Sequence, residues 1–144
     1  IMQFLRILHI LSVEEGAHAL ATSAYAKVKI QDDSRRVLKV KNYINENYMY
    51  EIKLETLADI ANMSQSAFSR FFKLHTGRTL SEYIIETRLG YATRMLLDTQ
   101  ESIANISFNC GYNNLSNFNR IFKRKKGCSP SEFRDKYKKK KIVI

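Results

Sequence analysis

A chain of 144 residues has room for about one domain and an appendage. It carries 24 Lys and Arg against 14 Asp and Glu, and the net charge of +10 favours a polyanionic partner. Two cysteines are too few for a disulfide scaffold, and they lack the spacing of a metal site. No segment approaches the length of about 18 apolar residues that a membrane span needs, and no signal peptide is recognisable. These features argue against a secreted disulfide-rich protein and a membrane-spanning protein, and they predict a protein of the reducing cytoplasm.

The basic residues are concentrated after residue 33. Residues 1–33 hold three Lys or Arg and four Asp or Glu, so that 21 of the 24 basic residues and 10 of the 14 acidic ones follow. Only five glycines and one proline interrupt the chain, which favours helices with few irregular loops. We therefore expect an all-α fold whose basic part binds the polyanion.

The chain opens with an apolar segment. Six apolar residues between Phe4 and Leu11 predict a short helix that ends before Gly16, and residues 17–34 predict a joint whose polar end, at Ser34, caps the next helix. The apolar stripe lacks a local partner, so it packs either on its own domain or on a domain that lies outside this chain. Since Ile1 is not an initiator Met, we expect the chain to be part of a longer protein.

The next helix is predicted from Arg35 to about Met49. Its inward face is expected to hold four residues at i, i+3, i+4 and i+7 spacing, namely Val37, Val40, Lys41 and Ile44. Lys41 is expected to contribute only its aliphatic stem.

Residues 54–76 predict a helix-turn-helix unit. A short apolar helix around residues 57–61 is followed by Ser64, which suits the N-cap of a second helix that ends before Gly77. The second helix has an apolar stripe of Phe68, Phe71, Phe72 and His75. Its opposite face carries hydrogen-bonding groups that end in a cation: Ser66, Ser69, Arg70 and Lys73.

A long helix is predicted over residues 79–97. Thr79 and Glu82 have the spacing of a capping box. Its length of roughly 27 Å makes it a spacer somewhat shorter than one turn of B-DNA, which is about 34 Å. Gly90 is the weak point of this helix, and a glycine at such a position is usually explained by close packing.

Residues 102–126 predict a second helix-turn-helix unit that repeats the first. Its second helix begins after Asn114, and a displacement of fifty positions superposes the polar face of the first unit on Ser116, Asn119, Arg120 and Lys123. Ser129 and Glu132 form another capping box with Pro130 at the first helical position, and we expect Lys138–Lys141 to be a solvated tail with non-specific affinity for phosphate.

The two polar faces have two alternative interpretations. A single row of this kind is as easily a solvated face as a helix surface that lies in a DNA groove. Because the same residue types recur at the same helical phase, the repeat favours the groove. We therefore assign base reading to Ser66, Ser69, Arg70, Ser116, Asn119 and Arg120, and phosphate binding to Lys73, Arg78, Lys123 and Arg124.

The two repeats also carry a family resemblance. The motif L-A-x-x-A-x-x-S-x-x-x-F-S-R-x-F-K, the long helix, and I-A-x-I-S-x-x-x-G-Y-x-x-x-x-x-F-x-R-x-F-K-x-x-x-G-x-S-P-S-E-F-R resemble the DNA-binding domain of AraC/XylS transcription regulators over residues 36–138. Tyr112 and Ser107 stand where the family often has Phe and Ala. The resemblance implies a homeodomain-like AraC-type domain at residues 35–141 and, at residues 1–34, the end of an N-terminal sensor and dimerisation domain with its linker.

The resemblance also implies partners. They are double-stranded DNA, RNA polymerase, a second copy bound through the N-terminal domain and a small-molecule effector bound outside this chain, with no membrane, no cofactor and no metal. An enzyme is not expected, since His9, His18 and His75 are scattered and the chain lacks a nucleophile motif and a glycine-rich phosphate loop. The alternative is a module that binds protein partners through the same scaffold and the apolar N-terminal segment. The salt dependence of duplex affinity distinguishes a DNA-binding protein from a protein-binding module, because phosphate binding weakens steeply as the salt concentration rises.

Overall fold

The computed structural model describes the backbone of residues 2–142 and the side chains of residues 20–138. Over that part of the chain it is entirely helical, which confirms the predicted fold class. None of its helices is long and apolar enough to cross a membrane, among the residues described. The helices are α1 (Met2–Asn47), α2 (Leu54–Ile60), α3 (Gln65–Thr76), α4 (Leu80–Asp98), α5 (Ile103–Asn109), α6 (Leu115–Lys126) and α7 (Pro130–Ile142).

The chain forms two compact units, Ile1–Leu38 and Lys39–Ile144. The first consists of the larger part of α1, and the second holds the end of α1 and the six shorter helices.

The continuity of α1 corrects the prediction of a short helix followed by a joint. Gly16 and Ser34 both lie inside α1, and the Ser34 hydroxyl donates to the Ile30 carbonyl 2.9 Å away instead of capping a new helix. Asp32 and Arg36 add an i, i+4 ion pair of 2.7 Å. Residues 17–34 contain five alanines and no proline, so the single glycine at position 16 costs too little to end the helix. The side chains of the predicted apolar stripe at residues 4–11 lie outside those that the structure describes.

The first helix-turn-helix unit packs around one apolar core. Phe68 and Phe72 of α3 are fully buried against α2 and the end of α1, as the predicted stripe required. Tyr83 of α4 closes this core with its ring edge against Phe72, at 5.4 Å between centroids. The remaining buried members of the core are Val40, Ile44, Leu57, Ala58 and Ala61.

The second unit repeats this arrangement, and α4 belongs to both units. The carboxyl half of α4 supplies Leu89, Ala92 and Leu96 to the second core. Phe118 and Phe122 of α6 occupy the places that Phe68 and Phe72 hold in the first core. Because α4 contributes to both cores, it links the positions of α3 and α6.

The helix ends are capped as predicted. The side chains of Ser64 and Asn114 accept from the backbone N–H groups three residues later, at 3.3 and 3.0 Å. Both capping boxes form, at Thr79 with Glu82 and at Ser129 with Glu132. Both α3 and α6 end at a left-handed glycine, Gly77 with φ 72° and Gly127 with φ 78°.

Basic side chains stabilise the carboxyl ends of α1 and α4. Arg88 donates to the carbonyls of Tyr48 and Tyr50, both at 2.9 Å, and Arg134 donates to those of Leu96 and Glu101. Each guanidinium therefore satisfies carbonyls in the last turn of a helix or in the loop that follows it. Partial burial of the Arg88 guanidinium lowers its pKa.

Lys138 has the same role in the second unit, which corrects part of the predicted solvated tail. Its ammonium donates to the Thr99 carbonyl at 3.1 Å. The side chains of residues 139–141 lie outside those described.

The turn of the second unit lies directly against the end of α1. Gly111 has φ 82°, and a Cβ there would stand 2.6 Å from the Tyr48 carbonyl oxygen. The Tyr48 ring stacks on Tyr91 of α4 at 3.9 Å, and the Arg88 guanidinium lies 5.7 Å from the centre of the Tyr112 ring. Only a glycine fits at position 111, so this contact holds the two helix-turn-helix units together.

Gly90 does not have the close packing that the sequence suggested. No atom lies within 4 Å of the position that its Cβ would occupy, and the residue is exposed. The glycine is therefore a weakness of α4 without a packing reason.

Candidate nucleic-acid interface

One face of α3 presents three of the predicted base readers to solvent. Because Phe68 and Phe72 anchor the opposite face, Ser66, Ser69 and Arg70 are all exposed. The Ser69 hydroxyl donates to the Gln65 carbonyl at 3.0 Å and keeps its acceptor capacity. Arg70 has no hydrogen bond or ion pair within the described part of the chain, so its guanidinium remains available to a ligand.

His75 departs from its predicted place on the buried stripe. It is exposed, and its ring lies 4.4 Å from the ring of half-buried Phe71. His75 shares the helical phase of Phe68 but lies in the last turn of α3, beyond the buried contacts of Phe68 and Phe72. His75 is therefore a boundary residue beside the core.

The corresponding face of α6 presents a guanidinium that is already oriented. Ser116 and Arg120 are exposed, and Arg120 donates to the side-chain oxygen of Asn117 at 2.8 Å. Asn117 and Arg120 stand three residues apart on one face of α6. This contact restricts the rotamers of Arg120, and the first unit has no equivalent because Ala67 occupies the matching position.

Asn119 is less open than the other predicted readers. It is half-buried, and its side-chain oxygen is buried and has no hydrogen-bond partner among the described residues. A buried amide oxygen left in this state costs free energy until a donor reaches it. Asn119 is therefore the least accessible of the six predicted base readers.

The predicted phosphate contacts are exposed, but one of them is already engaged. Lys73, Lys123 and Arg124 extend into solvent. Arg78 instead forms an ion pair with Glu86 of α4, and Lys125 approaches the same carboxylate at 3.9 Å.

Three polar residues of this surface were absent from the predicted site. Asn117 could have been found from its i, i+3 spacing to Arg120. Glu86 and Lys125 are far apart in sequence and meet only because α4 and α6 pack together, so no local pattern predicts their contact.

The functional groups exposed on α3 and α6 suit the recognition of duplex DNA. Each unit offers an exposed row of hydroxyl, amide and guanidinium groups of the kind that reads base edges in a major groove. Cations lie towards the last turn of each reading helix, where they can bind phosphates and position the row. No group of three or more His, Cys, Asp or Glu that could hold a metal ion occurs among the described side chains.

Comparison with known proteins supports the same chemistry. Residues 57–136 match a family described as a helix-turn-helix domain. The chain is 30% identical over 105 residues to the HTH-type transcriptional activator RhaS of Enterobacter sp. strain 638, an alignment that covers 73% of this chain and 38% of that protein. It is 37% identical over 102 residues to the bifunctional transcriptional activator/DNA repair enzyme AdaA of Bacillus subtilis strain 168, covering 71% of this chain and 48% of AdaA. The chain thus spans less than half the length of these relatives.

Solved structures have the same fold. The DNA-binding domain of the global transcriptional factor AdpA, in complex with a target DNA, superposes with a TM-score of 0.69 at 28% identity, covering 72% of this chain and 94% of that one. A probable AraC family transcriptional regulator from Rhodopseudomonas palustris superposes with a TM-score of 0.65 at 27% identity, covering 71% and 96%.

Proposed function

Because the chain belongs to the AraC family of helix-turn-helix DNA-binding proteins, we propose that residues 35–141 read duplex DNA with α3 and α6 together, one in each of two successive major-groove segments. Base edges contact Ser66, Ser69, Arg70, Ser116, Asn119 and Arg120, and phosphates contact Lys73, Arg78, Lys123 and Arg124.

The observation that carries this proposal is the shared role of α4. Two helices of equal length, α3 and α6, present rows of the same kind, and the nineteen-residue helix α4 contributes side chains to the apolar core behind each of them. A helix of that length spans about 28 Å, close to the roughly 34 Å between successive major-groove segments on one face of B-DNA. The Gly111 contact with the end of α1 supports a fixed geometry between the units.

The proposal extends to the protein to which this domain belongs. We infer a transcription regulator of the bacterial cytoplasm that acts on RNA polymerase, since both relatives above are named as transcriptional activators. We also infer that this chain catalyses no reaction, unlike AdaA, since its sequence lacks a nucleophile motif and a glycine-rich phosphate loop. Residues 1–34 then end a sensor and dimerisation domain that binds a small-molecule effector. Four large apolar side chains of this segment are exposed and support a further covering domain: Leu20, Tyr25, Val28 and Ile30.

Selection of bound duplexes from a random pool, followed by footprinting, tests the reading model. The expected result is an asymmetric site with two protected segments, about 10–10.5 base pairs apart, on one face of the duplex. A single protected segment would overturn the two-helix model. Affinity that did not fall as salt rises would favour the protein-binding module instead.

A further inference from the structure

Glu86 stands where the cationic ends of the two reading helices meet. It lies in the amino-terminal half of α4, and one of its oxygens forms an ion pair with Arg78, just after the end of α3. The other oxygen lies 3.9 Å from the ammonium of Lys125, in the last turn of α6. A single carboxylate therefore contacts one cation from each helix-turn-helix unit.

The neighbouring carboxylate, Glu82, forms no ion pair with these cations. It lies one turn earlier in α4, and one of its oxygens accepts from both the backbone N–H and the hydroxyl of Thr79, at 2.9 and 3.0 Å. Those hydrogen bonds cap α4, and the charges of Lys125 and Lys73 act on Glu82 more weakly than they do. Glu86 has no hydrogen bond within α4 to compete with its cations, so it is the carboxylate of this helix that engages both units.

The ion pairs are too exposed to be explained by stability. The side chain of Arg78 is 54% exposed, and those of Glu86 and Lys125 are 34% and 36% exposed. Exposed pairs of this kind contribute little to folding because water screens them. A carboxylate and a DNA phosphate nevertheless offer the same ligand to a guanidinium or an ammonium, namely a pair of anionic oxygens. The consequence of these ion pairs is therefore that the Arg78 and Lys125 cations are less available to DNA phosphates.

We propose that Glu86 competes with DNA phosphates for Arg78 and Lys125, and so lowers the sequence-independent affinity of both units for duplex DNA. The inference rests on the proposed function, because it assumes that both cationic ends approach the phosphate backbone. Base contacts by the reading rows are unaffected by this competition, so the carboxylate lowers non-specific binding without altering which bases are read. Arg78 is then a weaker phosphate contact in the native chain than Lys123, which forms no ion pair within the described part of the chain.

The test compares Glu86→Gln with the matched control Glu46→Gln in the full chain. Glu46 is an exposed residue of α1 without an ion pair among the described residues, so both variants gain the same net charge. Dissociation constants are measured on a random-sequence duplex of about 30 base pairs at fixed salt. Glu86→Gln is expected to bind about threefold to tenfold more tightly than the parent and clearly more tightly than Glu46→Gln. Equal effects of the two substitutions would overturn the proposal, because net charge alone would then explain them.

The same comparison in a double variant that lacks both cations shows whether the gain in affinity depends on Arg78 and Lys125 or only on net charge. When Arg78→Gln and Lys125→Gln are both present, Glu86→Gln should gain no more affinity than Glu46→Gln. An undiminished gain would also overturn the proposal. The unfolding midpoint of each variant, expected within a few degrees of the parent, shows that folding is unchanged.

The same measurements distinguish the inference from the function on which it rests. If the parent chain bound no duplex at low salt, the proposed DNA reading would fail. If the parent bound duplex with the usual salt dependence but Glu86→Gln matched its control, only the role of Glu86 would fail.

Discussion

The proposed function assigns base reading and phosphate binding to different side chains of α3. Arg70 is exposed and has no partner in the described structure, so its planar guanidinium is free to bind O6 and N7 of a guanine. Lys73, one turn later, is an exposed point charge that suits any phosphate.

Replacing these two residues should therefore change binding in different ways. Arg70→Ala is expected to remove about 1–3 kcal/mol of discrimination at one base pair, whereas Lys73→Ala weakens all duplexes almost equally. Affinities for a panel of single-base-pair variants of the selected site measure both effects. The assignment is wrong if the two substitutions leave the same base preferences as in the parent.

At the scale of helices, two glycines should respond oppositely to the same substitution. Gly90→Ala adds a methyl group in open space on an exposed helix and is expected to stabilise the protein by about 1 kcal/mol. Gly111→Ala forces a Cβ against the Tyr48 carbonyl in a left-handed conformation and should cost at least about 2 kcal/mol. Urea unfolding of the two variants gives the comparison. Destabilisation by both would indicate that α4 needs its glycine for a reason absent from this structure.

The two capping boxes predict a dependence of stability on acid. Hydrogen bonds from the cap backbone N–H, and then from the cap hydroxyl, lower the pKa of Glu82 and of Glu132 below the ordinary value of 4.5. A lowered folded-state pKa contributes stability above that ordinary value, and the contribution is lost as the pH falls through the folded-state pKa. The temperature of the unfolding midpoint should therefore decrease as the pH is lowered below about 4.5. The decrease should be steeper in the parent than in the double variant Glu82→Gln, Glu132→Gln. Equal slopes would mean that other carboxylates dominate the acid response.

Local sequence patterns predicted the parts of the fold that local interactions determine. Ser64, Asn114 and the two capping boxes were found because each cap bonds to an N–H three residues away. The phenylalanine stripes were found because their helical spacing decides which face is buried. The base-reading roles themselves remain predictions.

The sequence predictions were wrong or incomplete where a residue's local pattern was outweighed by the helix preference of its neighbours, or where a contact depended on a residue far away in the chain. Gly16 suggested a break in α1, yet an alanine-rich continuation outweighs one glycine. His75 has the spacing of the stripe, but the core closes before it. The contacts of Glu86 with Lys125 and of Gly111 with Tyr48 join residues far apart in the chain, so they follow from tertiary packing alone.

For the molecule as a whole, the central claim is that the two units bind one duplex at the same time. The linking helix α4 spans about 28 Å and falls short of a full turn of roughly 34 Å, so either the reading helices tilt or the DNA bends towards the protein. Bending a site of this size costs on the order of 1–6 kcal/mol, which the contacts of a second reading helix can offset. We favour a bent duplex.

Insertion of about five base pairs between the two protected segments tests this claim most directly. Half a helical turn places the segments on opposite faces of the duplex, out of reach of two helices fixed to α4. The affinity of the altered duplex should fall to that of a duplex with one segment alone. Undiminished affinity would contradict the account, because α6 would then not occupy the groove while α3 does.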